Sequence, residues 1–261
     1  MRSLRLSVGL LTILPTGDVG VVDRRVAGRA MLWAPVVGAV IAVIPAAIVW
    51  AVHTASPTAL GSLLAATLGI GALAYLTRAL HLDGLADTAD ALGSGKAAEG
   101  ALAIARRGDV GPFGVITVVL VLLIQIAALA VLTDYGAGPV ALLVAVMTGR
   151  LAATLACSRG IPAARPDGLG ALVAGTVPRW AGATWIVAVA LAAVALGLWR
   201  MPGAPWALPA GVLVGLAVAA LLVRRGVRRL GGVTGDVMGA AVEVAVATAL
   251  VVTALTATFS A

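Results

Sequence analysis

The stretch GPFGVITVVLVLLIQIAALAVLT, residues 111–133, contains no charged side chain. A transmembrane α-helix needs about 20 consecutive, predominantly apolar residues, because the hydrocarbon core of a bilayer is about 30 Å thick. These residues therefore predict one helix that crosses a membrane. The stretch decides the fold class, because apolar runs of similar length recur on both sides of it.

The composition of the whole chain agrees with a membrane fold. Of its 261 residues, 61% are hydrophobic and 11% are charged, whereas about 25% of the residues in a soluble domain are charged. Residues 1–15 predict an interfacial helix. Six further spans are predicted at roughly 31–52, 58–80, 139–157, 181–199, 206–223 and in a last run ending near Phe259. We expect an all-α, polytopic integral membrane protein with about seven transmembrane helices in a single domain, residues 1–261.

The basic residues indicate an orientation. The net charge is +7, and all of the 18 lysine and arginine residues except Arg200 lie in or beside alternate loops between the predicted spans. Cytoplasmic loops of membrane proteins carry such an excess of basic residues, so the N-terminus is predicted to be cytoplasmic. Because the arginines occupy the positions of topology determinants, the charge indicates a lipid bilayer as the partner and does not indicate nucleic acid.

An acidic segment, HLDGLADTAD at residues 81–90, interrupts the apolar pattern. In a helix, Asp83, Asp87 and Asp90 would share one face within an arc of about 60°. Carboxylates stacked in this way repel one another, and Gly84 would keep the backbone open beside them. Mg²⁺ suits such a site, because it is commonly held by few carboxylates and completed by phosphate oxygens. The alternative is a solvated loop whose acids balance nearby basic residues.

Further candidates lie at the borders of the spans. Arg106, Arg107 and Asp109 precede a predicted helix start at Gly111, where backbone N–H groups would favour an anion; the alternative is that the arginines only anchor the topology. Arg150 lies about two turns inside a span. An arginine there either binds an acid or phosphate or reaches back to the membrane surface.

Four more polar residues belong to the same part of the predicted bundle. Asp236, which follows Thr234 in a glycine-rich segment, shares a helix face with Glu243, roughly 10 Å deeper. An acid at that depth is a functional candidate, although it could pair with an arginine within the bundle. His81 would lie on the opposite side of the helix from Asp83, which favours a capping or packing role over that of a base.

Three motifs together resemble the cobalamin synthase family: HLDGLADTAD at 81–90, GPFG at 111–114 and GGVTGDVMGA at 231–240. The segments LTILP at 11–15 and PVVG at 35–38 are also similar to that family, so the resemblance covers nearly the whole chain. One departure is the sequence Arg107-Gly108-Asp109, where many members carry an acid, a serine and an arginine.

The resemblance implies an adenosylcobinamide-GDP ribazoletransferase of late cobalamin biosynthesis in the bacterial plasma (inner) membrane. Such an enzyme joins α-ribazole, or its 5′-phosphate, to adenosylcobinamide-GDP in a Mg²⁺-dependent reaction that releases GMP. A ribose hydroxyl would attack the phosphorus next to the cobinamide, with the active site on the cytoplasmic side. The sequence leaves open whether the protein forms a homo-oligomer.

The resemblance also suggests roles for the candidate residues. Asp83, Asp87 and Asp90 would be catalytic and hold the metal, with Asp90 taking the hydroxyl proton. The predicted substrate-binding and phosphate-binding residues are His81, Gly84, Arg106, Arg107, Asp109, Gly111, Arg150, Thr234, Asp236 and Glu243.

Two other functions stay open at this point. The acidic segment resembles the Asp-Gly-x-x-Ala-Arg motif of CDP-alcohol phosphatidyltransferases, although Asp87 stands where that motif carries an arginine. A secondary transporter would also have about seven glycine-interrupted spans. Transporters place ionisable groups near the midplane, whereas the acidic segment is predicted at a membrane border.

Overall fold

A computed structural model describes residues 1–258, and its regular secondary structure is helical. The helices are α1 (Arg2–Leu11), α2 (Arg24–Ala55), α3 (Ala59–Leu76), α4 (Leu80–Gly93), α5 (Ala98–Ala105), α6 (Pro112–Asp134), α7 (Gly138–Ala156), α8 (Gly168–Val173), α9 (Arg179–Arg200), α10 (Ala207–Leu230) and α11 (Gly235–Thr258). Within residues 1–258, seven helices are long and apolar enough to cross a membrane: α2, α3, α6, α7, α9, α10 and α11. The all-α class and the number of spans are confirmed. The predicted end of the last span, Phe259, lies outside the described residues.

The short helix α4 marks one end of the bundle. Because consecutive spans alternate in direction, α3, α7 and α10 end there, and α6, α9 and α11 begin there. α4 packs against α6 and α11, and α1 packs against the first span, α2. α7 and α11 are the most enclosed of the spans. We call this side of the molecule the α4 end.

The boundary between α3 and α4 differs from the prediction, which extended the second span to Leu80. α3 ends at Leu76, and Arg78 and Ala79 then adopt left-handed backbone angles, with φ of 54° and 53°. Such a conformation costs a residue other than glycine about 1–2 kcal/mol. The Arg78 guanidinium donates a hydrogen bond to the Gly9 carbonyl at 3.1 Å, which ties the turn to α1. The acidic segment is therefore a separate helix and not the end of a span.

Two glycines let α4 lie directly on α11. A Cβ atom at Gly84 would be 2.9 Å from the Asp236 carbonyl oxygen, and one at Gly239 would be 3.3 Å from the His81 Cα atom. Small residues at such crossings allow two helix backbones to approach closely. Gly84 is therefore covered by α11, and the prediction that it keeps the backbone open for substrate is wrong.

Replacing Gly84 by alanine should destabilise the protein by about 1–3 kcal/mol, because the added methyl group overpacks the contact between α4 and α11. Gly71 is the matched control. It lies inside α3, and a Cβ atom added there would have no neighbouring atom within 4 Å, so Gly71→Ala should be neutral or stabilising by up to about 1 kcal/mol. Thermal unfolding of both purified variants in one detergent measures the difference. Equal midpoints would contradict the proposed contact.

Candidate functional site

A cavity of about 350 Å³ opens at the α4 end. Its wall comes from the end of α1, the first turns of α4, the segment 165–170 and the beginning of α11. The charged residues in this wall are Asp83, Arg165, Asp167 and Asp236. Apolar side chains such as Leu11, Met31 and Val242 line the rest. The cavity therefore combines a few convergent charges with an apolar lining, as ligand sites commonly do.

Carboxylates from two helices cluster beside this cavity. Asp83 is exposed and Asp87 half-buried, one turn apart on α4, and Asp236 lies in the first turn of α11. The glycine contact between these helices brings the Asp236 backbone against Gly84. Partial burial, followed by the charges of Asp236, Asp83 and Asp90, raises the pKa of Asp87 to about 6, although Arg165 opposes the shift.

Asp90, the third predicted metal ligand, binds backbone N–H groups of a neighbouring helix instead. Only 6% of it is exposed, and its two oxygens accept hydrogen bonds from the Gly111 and Gly114 N–H groups at 2.7 and 3.0 Å. These N–H groups belong to the start of α6, where a carboxylate is favoured by unpaired donors and by the helix dipole. The structure therefore makes Asp90 a cap of α6, which replaces its predicted role as general base, and the Gly111 N–H is not free to bind phosphate.

Replacing Asp90 by alanine should lower stability by about 1–3 kcal/mol, because it leaves two backbone donors without their acceptor. The loss should appear in thermal unfolding even when substrate and metal are absent. Asp109→Ala, which removes an exposed acid from the loop before α6, is the control and should stay within about 0.5 kcal/mol of the wild type. A fully stable Asp90→Ala protein would rule out the capping role.

The arginines predicted to clamp phosphate lie outside the cavity wall. Arg106 forms an exposed ion pair with Asp167 at 2.8 Å. Arg107 is exposed in the loop that leads to α6, as is Asp109. Arg150 is buried in α7, and its Nη1 donates to His81 Nε2 at 3.0 Å. The structure therefore does not bring these three arginines together around the carboxylates.

Arg165, which the sequence reasoning missed, takes their place. Its side chain lines the cavity with 17% exposure, and its Nη2 lies 3.9 Å from the Asp236 Oδ2 atom. Its buried Nε has no hydrogen-bond partner within the described part of the chain. A guanidinium that lines a cavity can bind an oxygen of a phosphate ligand through its N–H groups.

Two loops that are distant in sequence hold Arg165 in place. The Ala164 N–H donates to the Val233 carbonyl at 3.1 Å, and the Val233 N–H donates to the Pro162 carbonyl at 2.9 Å. The next residue, Thr234, accepts from the Val237 N–H at 3.2 Å and donates to Asp236 Oδ2 at 3.1 Å. Thr234 therefore lines the cavity, caps α11 and orients its first carboxylate.

A second set of polar side chains lies deeper in the bundle, between α4, α6, α7 and α11; its members are His81, Gln125, Arg150 and Glu243. Burial and the adjacent Arg150 guanidinium hold the pKa of His81 well below its ordinary value, so its ring is neutral and accepts the hydrogen bond from Arg150. Gln125 Nε2 donates to Glu243 Oε2 at 2.8 Å. Arg150 and Glu243 border one void of about 10 Å³, roughly the room of a single water. His81 is therefore buried and bonded to Arg150, and Glu243 has Gln125 as its bonded partner.

The carboxylates fit a metal ion that is shared with a ligand. Among residues 1–258, no three His, Cys, Asp or Glu side chains are close enough to enclose an ion by themselves. Mg²⁺, however, is usually bound by one or two carboxylates together with waters and substrate phosphates. Burial, and after it the negative charges of Asp236, Asp83 and Asp90, raise the pKa of Asp87 more than Arg165 lowers it. One or two of the carboxylates Asp83, Asp87 and Asp236 could therefore hold Mg²⁺ when a phosphate ligand supplies further oxygens.

The partial burial of Asp87 and the acids around it predict that Asp87→Asn is more stable than the wild type at pH 7. The folded-state pKa of about 6 exceeds the unfolded value of about 3.9, so the ionised carboxylate destabilises the fold above pH 6. After allowance for solvent screening, the gain should be roughly 1 kcal/mol. The difference in unfolding free energy between Asp87→Asn and the wild type should disappear as the pH falls from about 6 to about 4. Over this range Asp87 becomes protonated first in the folded state and then in the unfolded state. Thermal unfolding with a chelator, at pH 7 and pH 5, tests this, and a gap that does not depend on pH would contradict it.

Comparison with known proteins identifies relatives along nearly the whole chain. The family model described as cobalamin-5-phosphate synthase matches residues 3–254. The adenosylcobinamide-GDP ribazoletransferase of Frankia casuarinae is 43% identical, over 98% of this chain and 95% of the relative. The enzyme of the same name from Nocardioides sp. is 42% identical, over 94% and 95%, and that from Desulforamulus reducens is 36% identical, over 91% and 90%. No solved structure matches the chain.

Proposed function

Because the chain belongs to the cobalamin-5-phosphate synthase family, we propose that it is an adenosylcobinamide-GDP ribazoletransferase that acts at the α4 end. The observation that carries the proposal is the end-to-end family match together with a cavity lined by carboxylates and an arginine. Acids alone would repel a diphosphate, whereas acids that share a cation with it, beside an arginine, would bind it.

The reaction exchanges the phosphoanhydride bond of the diphosphate for a new phosphate ester bond. A ribose hydroxyl of α-ribazole, or of its 5′-phosphate, attacks the phosphorus next to the cobinamide. The bond between this phosphorus and the oxygen that bridges the diphosphate breaks, so GMP leaves and the hydroxyl proton is released. When the 5′-phosphate is the acceptor and keeps its phosphate, the attacking hydroxyl is one of those that remain free on the ribose.

Different residues at the cavity would carry out different parts of this reaction. One or two carboxylates of the cluster Asp83, Asp87 and Asp236 would hold Mg²⁺, which when bound neutralises charge on the diphosphate and on the leaving group. Arg165 would bind a phosphate oxygen through the guanidinium that lines the cavity. Asp90 accepts two backbone hydrogen bonds, so a carboxylate of the cavity cluster is better placed to take the hydroxyl proton.

The membrane setting follows from the charge distribution. The protein is a multi-pass membrane protein, and the arginine-rich loops lie at the α4 end together with the cavity. Since basic loops face the cytoplasm, we infer that the N-terminus and the active site are cytoplasmic and that the membrane is the bacterial inner membrane. The family match favours this function over the CDP-alcohol phosphatidyltransferase and the secondary transporter that the sequence left open.

The decisive experiment incubates the purified protein with adenosylcobinamide-GDP, α-ribazole and Mg²⁺ and measures GMP and the cobalamin product by chromatography. We expect the two products in equal amounts, and none when a chelator is added. A parallel reaction without α-ribazole should release no GMP. GMP release that does not need the acceptor would indicate a hydrolase, and no release under any condition would overturn the proposal.

A further inference from the structure

A second cavity, of about 680 Å³, lies at the α4 end but shares no lining residue with the first. It separates the beginning of α9 from the last turns of α10, with the loop 158–162 as its floor. Four arginines line it: Arg159, Arg179, Arg224 and Arg228. We call this cavity the arginine pocket.

The charge of the arginine pocket is uncompensated within the described chain. The two ion pairs formed among residues 1–258 are Arg106–Asp167 and Arg165–Asp236, and neither involves this pocket. Arg179 is instead fixed over the loop by a hydrogen bond from its Nε to the Arg159 carbonyl at 3.2 Å. The four arginines are exposed, and four like charges around one cavity repel one another, so an anion that binds between them would lower this repulsion.

An apolar slot of about 210 Å³ continues from the arginine pocket into the spanning part of the bundle. The two cavities have Ile161, Val223 and Arg224 in common. The slot runs between α7 and α10, where small side chains such as Ala156 and Ala220 leave the space. Protein interiors rarely keep voids of this size empty, and a hydrocarbon chain would fill this one.

We propose that the arginine pocket and the apolar slot together bind one anionic phospholipid, with its phosphate among the four arginines and an acyl chain between α7 and α10. Basic pockets between spans on the cytoplasmic side are suited to acidic headgroups. A free phosphate or nucleotide would explain the arginines, but it would leave the slot unfilled. The site is separate from the proposed catalytic cavity, so its test does not depend on the transferase function.

The test measures lipid retained by the purified full-length protein, using native mass spectrometry in detergent with equal amounts of phosphatidylglycerol and phosphatidylcholine. We expect the wild type to retain the anionic lipid preferentially. The double variant Arg224→Gln/Arg228→Gln should lose roughly tenfold or more of that retention, since each basic residue near the surface contributes to headgroup attraction. Ala220→Phe, which fills the slot without changing charge, should reduce retention of phosphatidylglycerol to a similar degree.

Matched controls separate this site from general effects of charge and size. Arg25→Gln/Arg29→Gln removes two exposed arginines at the start of α2, and Ala217→Phe adds the same ring to α10 away from the slot. Both should retain lipid like the wild type. Equal retention of the two lipids by the wild type would overturn the proposal, as would a loss in the controls as large as in the site variants. Displacement of the lipid by millimolar inorganic phosphate or GMP would assign the pocket to a free phosphate ligand instead.

Discussion

Asp83→Asn and Asp87→Asn should each lower the rate of GMP formation roughly 10³-fold or more, because each removes a carboxylate that would hold Mg²⁺ against the diphosphate. Asp83 lines the cavity, Asp87 lies one turn further along α4, and neither side chain accepts a hydrogen bond within the described residues. Their loss should therefore leave the fold intact. Steady-state assays with saturating Mg²⁺, combined with thermal unfolding of the same preparations, measure the two effects separately.

Glu99→Gln is the control for these variants. Glu99 is an exposed acid on α5 outside the cavity wall, so its amide should keep wild-type turnover. The pattern expected across α4 is also specific: Asp87→Asn combines lost activity with gained stability, whereas Asp90→Ala loses stability first. Near-normal turnover in Asp83→Asn or Asp87→Asn would contradict the proposal that α4 holds the metal.

Arg165→Gln should lower kcat/KM for adenosylcobinamide-GDP by roughly 100-fold, the effect typical of losing one charged donor to a reacting phosphate or oxyanion. Arg165→Lys keeps the charge but not the planar donor group, so it should recover only part of the activity. The measurement varies the concentration of adenosylcobinamide-GDP at saturating acceptor. Unfolding temperatures of both variants check that the loop between α7 and α8 still folds.

Arg107→Gln is the matched control for Arg165→Gln. The sequence alone favours Arg107 as a phosphate ligand, whereas the structure leaves it exposed and outside the cavity wall. We expect Arg107→Gln to stay within about threefold of wild-type activity, because surface charges contribute little. If the two variants reversed these effects, the phosphate would bind at the start of α6 and not beside Arg165.

The features that the sequence predicted well are those that depend on neighbouring residues. The seven spans follow from apolar runs long enough to cross a bilayer, and the helicity of α4 agrees with the spacing of its acids. The break before α4 was missed, because Arg78 and Ala79 adopt a left-handed turn without the glycine that normally signals one.

The details of the site depend on contacts between distant residues, which periodicity cannot reveal. Asp90 meets its partners 21 and 24 residues further along the chain. Arg165 reaches the cavity because its loop pairs with Val233, and nothing in the local sequence separates it from the arginines that anchor the topology. The metal, the individual roles of the acids and the membrane orientation stay predictions.

The cap that Asp90 places on α6 also determines where this protein can tolerate change. Gly111 and Gly114 supply the capped amides, and a side chain at either position would collide with the Asp90 carboxylate. Arg107, Gly108 and Asp109, only a few residues earlier, are exposed. Substitutions of Arg107 or Asp109 should therefore cost the fold little, whereas a side chain at Gly111 would loosen the joint between the acidic helix and the membrane-spanning helix beside it.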